Sequence, residues 1–300
     1  MLPGMKLFPA AIVTLIALGC AAEKRDAADF TQWREKRLQR LKSEDGWLTL
    51  VGLHWLKEGT NRLGSVAGND IVLHAKTPPT LGTLMLQGKT VTLQPDPAAG
   101  MTIDGKPVTA PAQLIPDTDE KGPTVVQVGT VRFNVIERHG RYGLRVKDSA
   151  SESRAKFAGL DYFPFNPKWR VRARFEPFNP PRRVPITNVL GMTSEEVSPG
   201  MLVFNVGGRE YRLVPILEQG EKDYFIIFRD ATSGKETYPA GRYLYASPPG
   251  PDGKTIVDFN KAYNPPCAFT PYATCPLPPL QNRLPLRVEA GEKNYAGGHG

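Results

Sequence analysis

The chain has 300 residues with 38 basic and 30 acidic side chains, a net charge of +8, and that length allows two domains or one large all-β domain. Glycine and proline contribute 29 residues each, a density that excludes long helical bundles and favours short strands joined by turns. With 40% hydrophobic and 23% charged residues wholesale disorder is excluded, and the excess of base is too mild to diagnose nucleic-acid binding.

Residues 1–19 have the form of a secretory signal. Lys6 precedes an apolar run from Leu7 to Leu18, shorter than the roughly 20 apolar residues that span a bilayer. Ala17-Leu18-Gly19-Cys20 resembles a bacterial lipobox, which implies cleavage before Cys20 and acylation of its sulfur. The competing reading is a plain secreted protein with an incidental cysteine. Several acyl chains on Cys20 would anchor the chain stably. Ala21-Ala22, with no aspartate beside the cysteine, resembles lipoproteins sorted to the outer membrane, facing the periplasm. The expectation is an exported protein of the bacterial cell envelope whose membrane partner is reached through this lipid.

Residues 20–45 read as a tether and helix. Ala27 to Ser43 lacks proline and glycine, and its spacing puts Phe30, Trp33, Leu38 and Leu41 on one face. Asp29 suits the start and Gly46 the stop. Arg34, Lys36, Arg37, Arg40 and Lys42 then fall largely on the other face, suited to water or to anionic headgroups.

Residues 46–150 are strand and turn. Trp47–Val51, Ile71–Leu73, Thr83–Leu86, Thr90–Leu93, Val125–Val128 and Thr130–Ile136 follow at short intervals, a spacing that reads as a β-sandwich. Asn69-Asp70-Ile71-Val72-Leu73 after a glycine turn resembles a forkhead-associated domain. The phosphopeptide-reading residues of that fold have no match: Ser65 stands where arginine would. The polar stretch Ser149–Lys156 marks a boundary. Beyond it, Lys168, Arg170, Arg172 and Arg174 alternate with Trp169, Val171, Ala173 and Phe175, a strand with one basic and one apolar face. That basic face suits either water, on a charge-protected edge, or an anionic ligand. Further strands are expected at 201–206, 210–215, 224–229 and 255–259, and Asn264 to Pro285 holds seven prolines. The fold class is mainly β: an N-terminal helix, a first β-sandwich domain over 46–150, a second barrel or sandwich domain over 151–295 with a proline-rich loop, and a flexible tail over 296–300.

GWLTLVGLHWLKEG at 46–59, RDATSGKETYPAGRYL at 229–244, DFNKAYNPPCAFTPYATCPLPPLQNRLPL at 258–286 and EAGEK at 289–293 resemble the bacterial and archaeal family catalogued as domain of unknown function 1684. The resemblance runs over nearly the whole chain beyond the signal. It implies a modular boundary near residue 150, because some family members resemble only the second half. It implies no reaction and no residue roles.

Candidate site residues therefore come from chemistry. Asp230, Thr232 and Ser233 lie in a turn whose short oxygens accept backbone N–H bonds. Tyr238, Arg242, Tyr243 and Tyr245 follow, then Asp258, Asn260, Tyr263 and Asn264. Two readings fit this density. The groups satisfy the backbone of an irregular loop, or they line a pocket in which Arg229 or Arg242 grips the carboxylate or phosphate of a small polar or anionic ligand.

Cys267 and Cys275 suit a disulfide in an exported chain, with free packed thiols, a metal or a nucleophile as the alternatives. Cys-x7-Cys is no recognised zinc spacing, no histidine lies nearby, and no metal or cofactor is expected. His54, His74 and His139 precede residue 150 and His299 is in the tail, so a second domain over 151–295 has no Ser-His or Cys-His base of its own. A carboxylate hydrolase using Asp230, Asp258, Glu289 or Glu292 is the alternative to ligand binding, and an envelope adaptor is the third reading.

Overall fold

A computed structural model describes residues 10–73 and 76–297 of the chain. Helix α1 (Ala10–Lys42) begins well before the expected Ala27. Residues 1–9 of the expected signal and 298–300 of the expected tail lie outside the described residues, as does the side chain of Cys20. No described helix is long and apolar enough to cross a membrane.

The inward face of α1 differs from the simple apolar reading. Phe30 and Leu41 are buried, whereas Leu38 is 36% exposed and Arg37 is turned inward, with only 14% of its side chain in water. Positions 30, 33, 37 and 41 make one stripe at helical spacing, and the base rather than the leucine occupies it. Gly46 closes the helix exit because a Cβ there would sit 2.3 Å from the Leu41 carbonyl oxygen.

Next in the chain come β1 (Leu50–Trp55), β2 (Gly59–Gly64), β3 (Ile71–Val72), β4 (Gly82–Gln87), β5 (Thr90–Pro95), β6 (Thr102–Ile103), β7 (Lys106–Pro107), β8 (Ala112–Leu114), β9 (Val126–Val128), β10 (Val131–Arg138) and β11 (Arg141–Asp148). Trp47–Thr49, expected as strand, is a 3₁₀ turn. The strands form two sheets, β1-β11-β10-β9-β6-β7 and β3-β2-β4-β5-β8. Alternate residues of each, such as Leu84, Leu86, Val91 and Leu93 against Phe133, Val135, Leu144 and Val146, enclose one core between the sheets. The β10–β11 hairpin turns on His139 and Gly140, both at positive φ (55° and 76°), the two-residue loop whose twist matches antiparallel strands.

After a short helix α2 (Glu152–Ala155) come β12 (Arg170–Thr187), β13 (Thr193–Val206), β14 (Arg209–Leu213), β15 (Tyr224–Phe228), β16 (Arg242–Ala246) and β17 (Lys254–Asp258). The order β14-β13-β12-β17 makes β12 an interior strand, so the edge-strand reading of 168–175 is corrected. Its basic face does look outward: Arg172 pairs with Asp252 at 2.6 Å, and Arg174 pairs with Glu176. Trp169, Val171 and Ala173 face the core.

β15 and β16 form a separate hairpin that packs against a cluster on each side. Ile226, Phe228 and Leu244 belong to the core under β12–β14 and β17. Phe225, Ile227 and Tyr243 belong to a second cluster with Val184, Ile186 and Leu50. Every residue of β15 is buried, so it reads Tyr-Phe-Ile-Ile-Phe without alternation. The long β12–β13 arm ends in a turn closed by Asn188, whose side chain accepts from Leu190 N and Met192 N at 2.9 and 3.1 Å. That turn is tied to the proline-rich loop through Val189 N to Cys275 O and Leu277 N to Thr187 O. Cys267 and Cys275 are disulfide-bonded, with their Cα atoms 6.2 Å apart.

Candidate functional site

The polar residues singled out in 229–242 converge, but on each other and on the backbone. The Asp230 carboxylate accepts from the Thr232 hydroxyl at 2.8 Å, the Val288 amide at 2.8 Å and Arg242 Nη2 at 3.3 Å. Ser233 Oγ donates to the same carboxylate at 3.3 Å. The Arg242 guanidinium is wholly buried. It donates to the Val288 carbonyl at 3.0 Å, the Glu292 carbonyl at 3.2 Å and the Ala290 carbonyl. Burial lowers its pKa, and Asp230 opposes that shift. This cluster fastens the irregular segment 288–292 by supplying donors to the Val288, Ala290 and Glu292 carbonyls.

Asp258 and Asn260 do the same for another bend. Asp258 accepts from Asn260 Nδ2 at 3.0 Å, while Asn260 bonds both the amide and the carbonyl of Asn166 at 3.0 Å. Burial raises the Asp258 pKa against these hydrogen bonds. Asn264 donates to the Lys293 carbonyl and, through its amide, to Glu292 at 2.7 Å. Tyr238 packs, half-buried, beside Leu41 and Phe269. Arg229 is exposed. None of these eight side chains faces the large cavity of the molecule, and neither does Thr232, which is buried and bonded to Thr237 at 2.9 Å. Of the residues singled out, the three tyrosines Tyr243, Tyr245 and Tyr263 reach it.

That cavity, about 750 Å³, lies where α1, the β10–β11 hairpin, the β12–β13 tip and the outer face of the β15–β16 hairpin meet. Its floor is aromatic. Phe225 and Tyr243 meet edge to face at 5.0 Å, Phe225 and Tyr245 stack at 5.1 Å, and Tyr245 and Tyr263 lie nearly parallel at 6.4 Å. The Tyr243 and Tyr263 backbones exchange two hydrogen bonds of 2.9 Å, which fixes Tyr263 alongside β16. Burial pushes the Tyr263 phenol up to about 12, with Arg37 pulling against it. Burial likewise raises Tyr243 and Tyr245. All three are neutral phenols at physiological pH.

Lys36, Arg37 and Arg40 from α1 and Arg138 and Arg145 from the hairpin supply the cationic lining. Arg37 Nε bonds Glu292 Oε1 at 2.9 Å, and its Cζ stands 4.7 Å from the Tyr263 ring centroid. Burial opposes its charge, but the Glu292 carboxylate prevails and raises its pKa. Arg138 and Arg145 share Asp117 at 2.8 and 3.6 Å. Burial, with Arg138 adding to it, lowers the Arg145 pKa to about 10, and its buried Nε has no hydrogen-bond partner among the described residues. Lys36 and Arg40 have no acidic partner among the described residues.

Glu196 and Glu218 face the same space. Glu218 accepts from the Tyr245 hydroxyl at 3.2 Å, and burial raises its pKa, with Glu221 and Glu196 adding to the effect. The disulfide loop supplies Ala273 through Cys275, and Pro276 follows it, as a further wall. Sequence reasoning missed Arg37, Arg40, Arg138, Arg145, Glu196 and Glu218 because nothing local links them. The signal that could have found Arg37 was its place in the 30–33–37–41 stripe. Among the described residues no group of three or more histidine, cysteine, aspartate or glutamate side chains is placed to hold a metal ion.

The family described as "Protein of unknown function (DUF1684)" matches residues 155–293. A solution structure of an uncharacterized protein from Haloarcula marismortui is 32% identical, over 48% of this chain and 80% of that one, with a TM-score of 0.41. No curated protein matches the chain.

Proposed function

Because the chain belongs, through residues 155–293, to the family of unknown function DUF1684, and because that stretch forms the aromatic floor of a cavity walled elsewhere by described cations, we propose that the protein binds a small anionic ligand there. The supporting observation is the cavity itself: its volume suits a small molecule, and Lys36 and Arg40 line it without acidic partners among the described residues. A carboxylate or phosphate entering it meets charge-assisted donors, while its carbon skeleton lies on Tyr245 and Phe225. Titrating the full chain with ethyl phosphate and with benzoate tests this. Lys36→Gln/Arg40→Gln, both on the exposed side of α1, weakens binding by about tenfold or more. Equal binding by this variant and the parent overturns the assignment.

The same reading has the protein in the envelope, held by lipid on Cys20. The support is the Ala17-Leu18-Gly19-Cys20 sequence behind a short apolar run, together with a disulfide that suits an oxidising compartment. Globomycin accumulates the precursor, and Cys20→Ala releases the protein from membranes. Unchanged fractionation of that variant defeats the anchor.

A second reading is hydrolysis, favoured by Glu218: a half-buried carboxyl with a raised pKa in a cavity is suited to donate a proton, with Glu196 as its companion. Chromogenic glycosides and esters test it, and Glu218→Gln abolishes any turnover that Glu218 drives.

A further inference from the structure

The charges around the cavity are segregated by sign, and the division follows the chain. Among the described residues, the cationic side chains that line it, Lys36, Arg37, Arg40, Arg138 and Arg145, all lie before residue 150. The acidic ones, Glu196 and Glu218, lie inside the family-matched stretch 155–293. The two sets do not neutralise each other directly. Arg37 pairs with Glu292, and Arg138 and Arg145 pair with Asp117. Glu196 accepts from Ser194 Oγ at 2.7 Å and Glu218 from the Tyr245 hydroxyl at 3.2 Å, and neither has a basic partner among the described residues. Lys36 and Arg40 line the same space, likewise unpaired among the described residues. Two such bases and two such acids therefore share one cavity.

Resting on the anion-site reading, we infer that the ligand is amphoteric: a carboxylate or phosphate at one end and an ammonium group at the other, separated by a short carbon skeleton. An anion alone would be drawn by Lys36 and Arg40 but would leave Glu196 and Glu218 to repel its field. A cation alone has the converse problem. A molecule carrying both signs satisfies both walls, and the like-charge juxtapositions that penalise simpler ions become the source of selectivity. The acidic wall has a second feature that suits an ammonium group. Tyr245 is 44% exposed and holds its hydroxyl oxygen beside the Glu218 carboxylate, so an alkylammonium ion there meets a second acceptor. The chain before residue 150 thus supplies the grip on the anion, and the family stretch supplies the grip on the cation.

The test compares O-phosphoethanolamine with ethyl phosphate, which matches it but lacks the ammonium group, by ligand-detected titration of the full chain. The zwitterion binds about tenfold tighter or more, and Glu196→Gln and Glu218→Gln each shrink that ratio. The Glu218→Gln side chain keeps an oxygen that can accept from the Tyr245 hydroxyl, and thermal unfolding confirms that both variants fold. Equal binding of the two probes by the parent overturns the inference while leaving the anion site standing. Persistence of the ratio in the Glu196→Gln/Glu218→Gln double variant overturns it as well. Failure of both probes to bind the parent removes the anion-site reading and this inference with it.

Discussion

Arg37 and Glu292, 255 positions apart, form an ion pair that joins the N-terminal helix to the C-terminal stretch of the chain, with Nε and Oε1 at 2.9 Å and the glutamate side chain fully out of water. The pair does not stand alone. Arg37 Nη2 also reaches the Asn264 carbonyl at 2.9 Å, and Glu292 accepts the Asn264 amide at 2.7 Å and the Tyr162 hydroxyl at 3.3 Å. One carboxylate thus holds α1, the turn after Tyr263 and the C-terminal segment in register, and with them one wall of the cavity.

A buried pair of this kind is costly to break from one side, because the remaining charge keeps its desolvation penalty. Arg37→Met lowers unfolding stability by about 3 kcal/mol, and Glu292→Gln does so by a smaller amount because it keeps an acceptor for Asn264. The double variant Arg37→Met/Glu292→Gln recovers part of the loss, giving a coupling energy of about 1 kcal/mol or more in a urea-denaturation cycle. Additive single effects would show that the pair contributes nothing beyond its separate packing.

Arg242 gives the opposite outcome to a binding residue. Its two terminal nitrogens are taken up by Val288, Ala290, Glu292 and Asp230, and its removal leaves Asp230 as a buried carboxylate without that cation. Arg242→Ala costs about 3–5 kcal/mol, read as a collapsed thermal transition by circular dichroism. Arg40→Gln leaves that transition in place and weakens ethyl phosphate binding. A normally folded Arg242→Ala that loses ligand binding would reverse the two assignments.

The pH dependence follows from Glu218. Its native pKa lies above the ordinary 4.5 because burial disfavours the carboxylate, so the native state holds the proton more tightly than the unfolded chain. The contribution is fully present below 4.5 and is lost as pH rises through the raised native value. Glu218→Gln, which cannot titrate, flattens this part of the stability–pH curve. Chemical denaturation of parent and variant across the mildly acidic range measures the difference, and parallel curves would remove the shift as a property of Glu218.

Local pattern was legible where a single strand or turn decides the outcome. Trp169, Val171 and Ala173 alternate with Arg172 and Arg174, and the structure buries the first set and exposes the second. The apolar run of β15 marked its strand but not its two-sided burial, which depends on the arm Val184–Ile186 folding over it. Arg37 escaped because helical periodicity marks its place in the 30–33–37–41 stripe but not the Glu292 carboxylate that lets a base turn inward there. The density of polar groups at 229–242 was legible, and its cause was the backbone of 288–292, a segment close in space and distant in sequence. The cavity was invisible for the same reason: Arg40, Arg145, Glu218 and Tyr245 come from four separate parts of the fold.

The disulfide ties the cavity to the redox state. Cys267–Cys275 closes a short loop that carries Ala273 and Thr274 into the cavity wall, and the Cys275 carbonyl anchors the tip of the β12–β13 arm through Val189 N at 2.9 Å. By the chain-entropy relation, a loop of this length contributes about 2.5 kcal/mol by restricting the unfolded chain. Cys267→Ser/Cys275→Ser is expected to lower the unfolding free energy by about that amount. Dithiothreitol should lower the parent's midpoint toward that of the variant and leave the variant's unchanged. The loosened wall should also weaken ethyl phosphate binding in the folded variant, because the arm tip loses its fixed support beside Glu196. Two alkylatable thiols in the native exported protein, or a midpoint indifferent to both the substitutions and the reductant, would show that the bond neither persists nor stabilises.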